Sequence, residues 1–153
     1  YLTGHGGAEF LKFHDADEIS SVEIAAALTE MRIKRRYRKL LVIVDTCQAG
    51  SLFHNLDDDV LGFASSILGQ NAYASFPDPT VGVALSDRFT DHLAARFFAD
   101  DLDLRTTSLG TLARDLAGAH TRSTLDVHEP TTWDWRSTSL ADLIRRSSSV
   151  PSV

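Results

Sequence analysis

The chain has 153 residues, a formal net charge of −6 and one cysteine, with 43% hydrophobic and 24% charged residues. These values are typical of a single globular domain with a sizeable core, and they argue against a general nucleic-acid binder, which would normally be basic. One cysteine excludes an internal disulfide framework, and no stretch approaches the roughly 20 apolar residues needed to cross a bilayer.

The first third of the chain predicts a strand, a hairpin and a helix. Residues 1–3 are typical of the tail of a strand, and a glycine-rich turn follows at residues 4–7. We therefore expect opening strands, and any targeting segment, upstream of Tyr1. Residues 9–13, EFLKF, predict a hairpin or connecting strand. A capping box at Ser20 and Glu23 predicts the start of a helix that buries Ile24, Leu28 and Met31.

A parallel sheet is expected at the centre of the fold. Residues 40–44 are five consecutive apolar residues, a pattern typical of a strand covered on both faces. Residues 60–66 predict a weaker strand, and the alternation with helices indicates an α/β protein. Further elements are expected as a helix at 87–98 with an apolar face of Leu93, Phe97 and Phe98, a helix from Ser108, a strand in TTWDWRS (131–137) and a last helix in LADLIRR (140–146).

Two predicted turns contain side chains suited to nucleophilic catalysis. His5 lies in GHGG after the first strand, and Cys47 lies in DTCQAG after residues 40–45. If these strands are parallel neighbours, both turns reach the carboxyl edge of the sheet, where open α/β folds bind ligands. The imidazole would then take up the thiol proton and later protonate the leaving group. The backbone N–H of Gly6 could face a developing oxyanion.

Each turn also has a simpler interpretation. A lone cysteine after a strand is more often a buried structural thiol, and a histidine between glycines needs no chemical role. Glu9 stands where a dinucleotide fingerprint requires its third glycine. The other histidines lack metal-ligand spacing, so neither a metal nor a cofactor is predicted. The basic run at residues 32–39 is attributed to the dipole at a helix C-terminus.

Five motifs in order along the chain resemble one family. YLTGHGG, FLKF, KRRY, VDTCQA and GVALSDRFT resemble the catalytic subunits of glycosylphosphatidylinositol (GPI) transamidase, which are legumain-like, caspase-fold cysteine peptidases. The resemblance is strong from Tyr1 to about Leu93. It implies a three-layer α/β sandwich with a mostly parallel central sheet. Residues 1–118 would form a partial catalytic core, and residues 119–153 a C-terminal extension with a Ser-rich end.

The resemblance also implies roles for individual residues. His5 matches the catalytic histidine and Cys47 the nucleophile. Gly6 and the backbone N–H of Cys47 would form the oxyanion hole, and Ser65 and Ser66 would line the pocket for the scissile residue.

The implied reaction removes a C-terminal signal from a precursor protein through a thioester. The precursor then passes to the ethanolamine amine of a GPI glycolipid, within a multi-subunit membrane complex on the lumenal side of the endoplasmic reticulum. No cofactor or nucleic acid takes part. Two alternatives stay open: a legumain-like endopeptidase, in which water resolves the thioester, and a non-catalytic remnant that only folds or binds partners.

Overall fold

The computed structural model describes residues 1–14 and 16–144, so the predicted Ser-rich end and the last two residues of the predicted final helix lie outside the described residues. The strands are β1 (Leu2–Thr3), β2 (Gly6–Gly7), β3 (Phe10–Phe13), β4 (Asp17–Ser20), β5 (Leu40–Asp45), β6 (Val60–Ala64) and β7 (Asp126–His128). The helices are α1 (Ser21–Ile33), α2 (Arg88–Phe97), α3 (Leu109–Ala117) and α4 (Leu140–Ile144), with a 3₁₀ helix at Ala49–Phe53.

The central sheet has the order β1-β5-β6-β7, and the first three of these strands are parallel. Leu2 pairs with Val44, and Val42 pairs with Gly62. The predicted parallel neighbours at residues 1–3 and 40–45 are therefore confirmed, as is the α/β fold with a mostly parallel central sheet. The carboxyl ends of β1, β5 and β6 consequently share one edge of the sheet.

Successive side chains of the central strands point to opposite faces, and each face has its own core. Leu61 and Phe63 pack with the apolar side chains of α2 and α3. Val42 and Val44 belong to the opposite cluster, which includes residues of the 3₁₀ helix and against which α1 packs. This arrangement gives the three layers expected of the fold, with the sheet in the middle.

A small antiparallel sheet, β2-β3-β4, leads from the His5 turn into α1. Its β3 confirms the predicted strand in EFLKF. The capping box is also confirmed: the N–H of Glu23 donates to Ser20 Oγ at 3.3 Å, and the N–H of Ser20 donates to Glu23 Oε2 at 2.8 Å. The last two residues of the predicted turn at 4–7 thus form strand β2, and the hairpin holds residues 4 and 5 between β1 and β2.

The predicted strand at residues 131–137 is wrong, because this segment forms bends and turns and the strand is β7, at Asp126–His128. The two tryptophans serve as anchors: Trp133 Nε1 donates to the Asp59 carbonyl at 3.0 Å, and the buried Trp135 packs edge-on against Phe63 with ring centroids 6.0 Å apart. Their alternation therefore reflects two separate attachments and not a strand.

Two predicted buried side chains are also exposed. Phe98 lies just beyond the end of α2 and is 86% exposed, and Met31 near the end of α1 is 38% exposed. Both residues lie at the C-terminal end of their helix, where the side chain no longer packs against the hydrophobic core. Within the described ranges, no helix combines the length and apolar character that a bilayer crossing requires.

Candidate active site

The ends of β1 and β5 bring the two predicted catalytic turns together. Beyond the last paired residues of these strands, the N–H of Gly4 donates to the Asp45 carbonyl at 3.4 Å. Thr46 Oγ1 then donates to the Gly4 carbonyl at 2.8 Å. His5 follows Gly4 and Cys47 follows Thr46, so each is one residue beyond this hydrogen bond. The chain therefore brings an imidazole and a thiol to one edge of the sheet.

Thr46 joins the His5 turn, the Cys47 turn and the end of β6. Its side chain is 2% exposed, and its N–H donates to Ser65 Oγ at 3.2 Å. The hydroxyls of Ser65 and Ser66 donate back to the Thr46 carbonyl at 3.3 and 2.9 Å. Gly6 packs against the Thr46 side chain: a Cβ at residue 6 would come within 2.5 Å of Thr46 Oγ1 and 2.8 Å of the Phe10 carbonyl. Only glycine fits there without displacing these atoms.

Cys47 is half-buried and lies next to a loop formed by residues 69–72. Its Sγ lies 3.9 Å from the Ala72 carbonyl, a weak thiol hydrogen bond. Gln48 fixes the loop on the other side, because its N–H donates to the Gln70 carbonyl at 2.8 Å and its Oε1 accepts from the N–H of Gly69 at 3.2 Å. Gln48 adopts a left-handed conformation with φ of 56°, which turns the chain sharply after the thiol.

His5 is exposed, and its backbone is held by the hairpin. The N–H of Lys12 donates to the His5 carbonyl at 2.8 Å. Asp87, which precedes α2, lies within electrostatic reach of the imidazole. Burial raises the pKa of Asp87, the carboxylate of Asp45 acts in the same direction, and His5 opposes both. Asp87 is thus the acidic side chain at the start of α2 whose pKa responds to the imidazole.

Asp45, the last residue of β5, is a buried acidic residue that is not among the site residues predicted from the sequence. It is fully buried, and its Oδ2 accepts from the Thr90 N–H at 3.1 Å and the Thr90 hydroxyl at 2.6 Å. The other oxygen, Oδ1, has no hydrogen-bond partner among the described residues. A carboxylate at this place is stabilised by the first turn of α2. The signal for it was a charge that closes an apolar strand.

Tyr1 also contacts Thr90, the residue that binds the Asp45 carboxylate. Its hydroxyl hydrogen-bonds to the side chain of Thr90. Burial is also the largest cause that raises the pKa of Tyr1. The residue preceding β1 is therefore tied to the same first turn of α2 that holds Asp45.

Ser65 and Ser66 pack against the turn that contains Cys47. Both are fully buried, and besides their bonds to Thr46, the Ser65 carbonyl accepts from Ser123 Oγ at 2.6 Å and the Ser66 carbonyl from the Gly50 N–H at 2.9 Å. These contacts support this turn. A part in lining a substrate pocket stays a prediction for both serines.

Comparison with known proteins decides the family. The profile of the peptidase C13 family matches residues 1–131 of this chain. The chain belongs to the peptidase C13 family. Its membership confirms the predicted relationship to cysteine peptidases of this kind and agrees with the α/β sandwich described above. In the described ranges, no cluster of three or more histidine, cysteine or acidic side chains is arranged to hold a metal ion.

Individual relatives of this peptidase C13 chain are GPI-anchor transamidases. The chain is 47% identical to that of Bos taurus and 46% identical to that of Homo sapiens, in each case over 91 residues that make up 59% of this chain and 23% of the relative. It is 39% identical to that of Saccharomyces cerevisiae over 108 residues, which are 70% of this chain and 26% of the relative. The matched region thus spans about a quarter of these curated relatives.

Proposed function

We propose that this chain contains the nucleophile of a GPI-anchor transamidase, with Cys47 and His5 as its catalytic pair. The observation that supports this most strongly is the Thr46 hydroxyl bond to the Gly4 carbonyl, because it joins the two turns that hold the pair. The C13 family and the names of the relatives supply the reaction class.

In the first step, His5 takes the proton of the Cys47 thiol, and Sγ attacks the carbonyl carbon at the attachment site of a precursor protein. The new C–S bond forms first and gives a tetrahedral intermediate, and the C–N bond to the hydrophobic C-terminal signal breaks as this intermediate collapses. His5 returns its proton to the departing amine. The precursor is left as a thioester on Cys47, and no cofactor is required.

The backbone N–H groups of Gly6 and Cys47 would stabilise the oxyanion of each tetrahedral intermediate. The absent side chain at residue 6 supports this assignment, since it lets the Gly6 backbone pack closely against Thr46, the residue next to Cys47. The bonds from Ser65 and Ser66 to the Thr46 carbonyl support it further, because they fix the peptide unit that leads to the Cys47 N–H.

In the second step, the ethanolamine amine of a GPI glycolipid attacks the thioester. The amine loses a proton to His5 and the C–N bond forms. The C–S bond then breaks, and the departing Cys47 sulfur takes the proton back from His5 as a thiol. Precursor signals of this kind consist of small residues at the attachment site, a polar spacer and a hydrophobic tail. We assign the reaction to the lumenal side of the endoplasmic reticulum, within a membrane complex whose other subunits help to exclude water.

A second candidate is a legumain-like endopeptidase. The C13 family is a peptidase family, and the same pair would serve if water resolved the thioester. Mass analysis of the product separates the two reactions, because only transfer leaves the ethanolamine adduct on the new C-terminus. A third possibility, a folded remnant without activity, predicts neither product.

The test uses the complete reading frame in cells that lack their own transamidase catalytic subunit, with a GPI-anchored reporter counted at the surface. Cys47→Ala and His5→Ala are expected to abolish the reporter at equal expression. His54→Ala is the matched control, since His54 is another exposed histidine, paired with Glu9 and outside the proposed pair. Full rescue by Cys47→Ala would overturn the mechanism, and hydrolysed product alone would favour the endopeptidase.

A further inference from the structure

A cluster of cations at the end of α1 lies outside the catalytic site. We call it the basic patch. Six of the chain's 15 lysines and arginines fall within residues 32–39, and this stretch contains no acidic residue. All six are exposed, although the chain as a whole has a net charge of −6. The basic patch consists of Arg32, Lys34, Arg35, Arg36, Arg38 and Lys39.

Half of the basic patch is engaged within the fold. Arg32 Nε lies 3.2 Å from Asp57 Oδ2, and Lys34 forms an ion pair with Glu30 one turn earlier. Lys39 donates to a threonine hydroxyl in the loop after β7 at 3.1 Å and lies over an indole ring of the same loop. These three cations are explained by intramolecular contacts.

The other half has no such explanation. Arg35, Arg36 and Arg38 make no side-chain hydrogen bond or ion pair to any residue in the described ranges. The helix dipole favours cations only within the last turn, whereas α1 ends at Ile33 and Arg38 lies five residues further along. Mutual repulsion of such charges destabilises the folded chain. An external anionic group would relieve it.

The turn that presents these arginines is fixed by backbone hydrogen bonds. The N–H of Arg35 donates to the Arg32 carbonyl at 2.9 Å, and the N–H of Arg36 donates to the Met31 carbonyl at 2.9 Å. Beside them, Ile33 is 73% exposed. An apolar side chain among preorganised guanidinium groups resembles the centre of a protein interface, in which arginine is enriched.

The position of the basic patch distinguishes between a membrane and a protein as its partner. It precedes β5, whereas Cys47 follows the same six-residue strand, so about 20 Å separates them along the strand. This step rests on the proposed function: its glycolipid and the hydrophobic tail of its precursor both reside in a bilayer, so we place the edge of the sheet that contains Cys47 toward that bilayer. The basic patch then lies more than two Debye lengths of about 8 Å farther away. An anionic bilayer is thus disfavoured.

We propose that the basic patch docks an acidic surface of a protein partner. Arg35, Arg36 and Arg38 pair with its carboxylates in the two-pronged geometry that guanidinium groups adopt. Ile33 contacts an apolar side chain at the centre of the same surface. The partner is thereby held at the edge of the sheet opposite the catalytic edge and leaves access to Cys47 open.

The test introduces a photo-crosslinking amino acid at Ile33 in the complete reading frame, in cells that lack their own catalytic subunit. Phe98, which is also strongly exposed, serves as the control position. Mass spectrometry is expected to identify one protein, crosslinked from position 33 through a segment rich in aspartate and glutamate. The triple variant Arg35→Glu, Arg36→Glu, Arg38→Glu should reduce this crosslink about 10- to 100-fold.

Two controls keep the result specific. Glutamates in place of Lys12, Arg105 and Arg114 make the same charge change elsewhere on the surface and should leave the crosslink intact. Lysines in place of the partner's crosslinked carboxylates should restore the crosslink of the triple variant. An unaffected triple variant, or a crosslinked segment without carboxylates, overturns the proposal.

Anionic vesicles containing phosphatidylserine provide the alternative outcome. If the full-length protein floats with them at physiological salt and the triple variant does not, the partner is a membrane and the proposal fails. Cys47→Ala should retain the crosslink. A reporter that Cys47→Ala still displays at the surface, together with an unchanged crosslink, would therefore refute only the proposed function.

Discussion

Thr46→Val tests whether one hydroxyl holds the two catalytic turns together. Valine keeps the volume of this buried side chain and removes Oγ1, which donates to the Gly4 carbonyl at 2.8 Å. The lost hydrogen bond should cost about 1 kcal/mol of unfolding free energy. Its effect on the reaction should be larger, about 10- to 100-fold, because the turn that contains His5 is no longer fixed relative to Cys47.

Thr46→Ser is the matched control. Serine keeps the hydroxyl but loses the methyl group that lies beneath Gly6, at a similar cost of about 1 kcal/mol. Urea unfolding measures both stabilities, and the rate of reporter anchoring measures activity in the complete reading frame. The valine variant should lose far more activity than the serine variant at similar stability. Equal activity losses would show that Thr46 is only a core residue.

Three further changes test the surroundings of the site. Gly6→Ala should abolish anchoring while the protein still folds, since the new Cβ would meet Thr46 Oγ1 at 2.5 Å and displace the turn; normal anchoring would contradict this. Burial raises the pKa of Asp87 above 3.8, so its folded form binds the proton more tightly and stability falls as the pH rises through that raised pKa. Asp87→Asn should therefore have a higher urea midpoint than the parent chain at pH 7 and little advantage near pH 3, and a constant difference would refute the assignment. Ser20→Ala removes the α1 capping box and should cost about 1 kcal/mol in urea unfolding, whereas no loss would mean that the box is not formed in solution.

The parallel strands and both turns were predictable because their signals are local. Residues 40–44 form an uninterrupted apolar run, and parallel strands place their following turns at the same edge. The capping box at Ser20 is likewise local, because both partners lie within four residues. Such patterns depend on neighbours along the chain, and the structure confirms them.

The remaining features depend on contacts between distant segments. Trp133 and Trp135 alternate as in a strand, yet one is anchored to the Asp59 carbonyl and the other to the core, so β7 forms upstream of them. The bonds from Thr90 to Asp45 join residues 45 positions apart. No periodicity in the sequence reports such a pairing.

The central claim is that Cys47 is an activated nucleophile and His5 its base. The most direct measurement is the rate at which iodoacetamide labels Cys47, followed at the level of its peptide in the complete protein. We expect faster labelling in the native protein than in guanidinium, because the imidazole takes up the thiol proton. His5→Ala should slow the native rate at least about tenfold, while His54→Ala should leave it unchanged. The claim would be contradicted if iodoacetamide labelled Cys47 no faster in the native protein than in the denatured protein, and if His5→Ala did not change the native rate. Cys47 would then be a structural thiol.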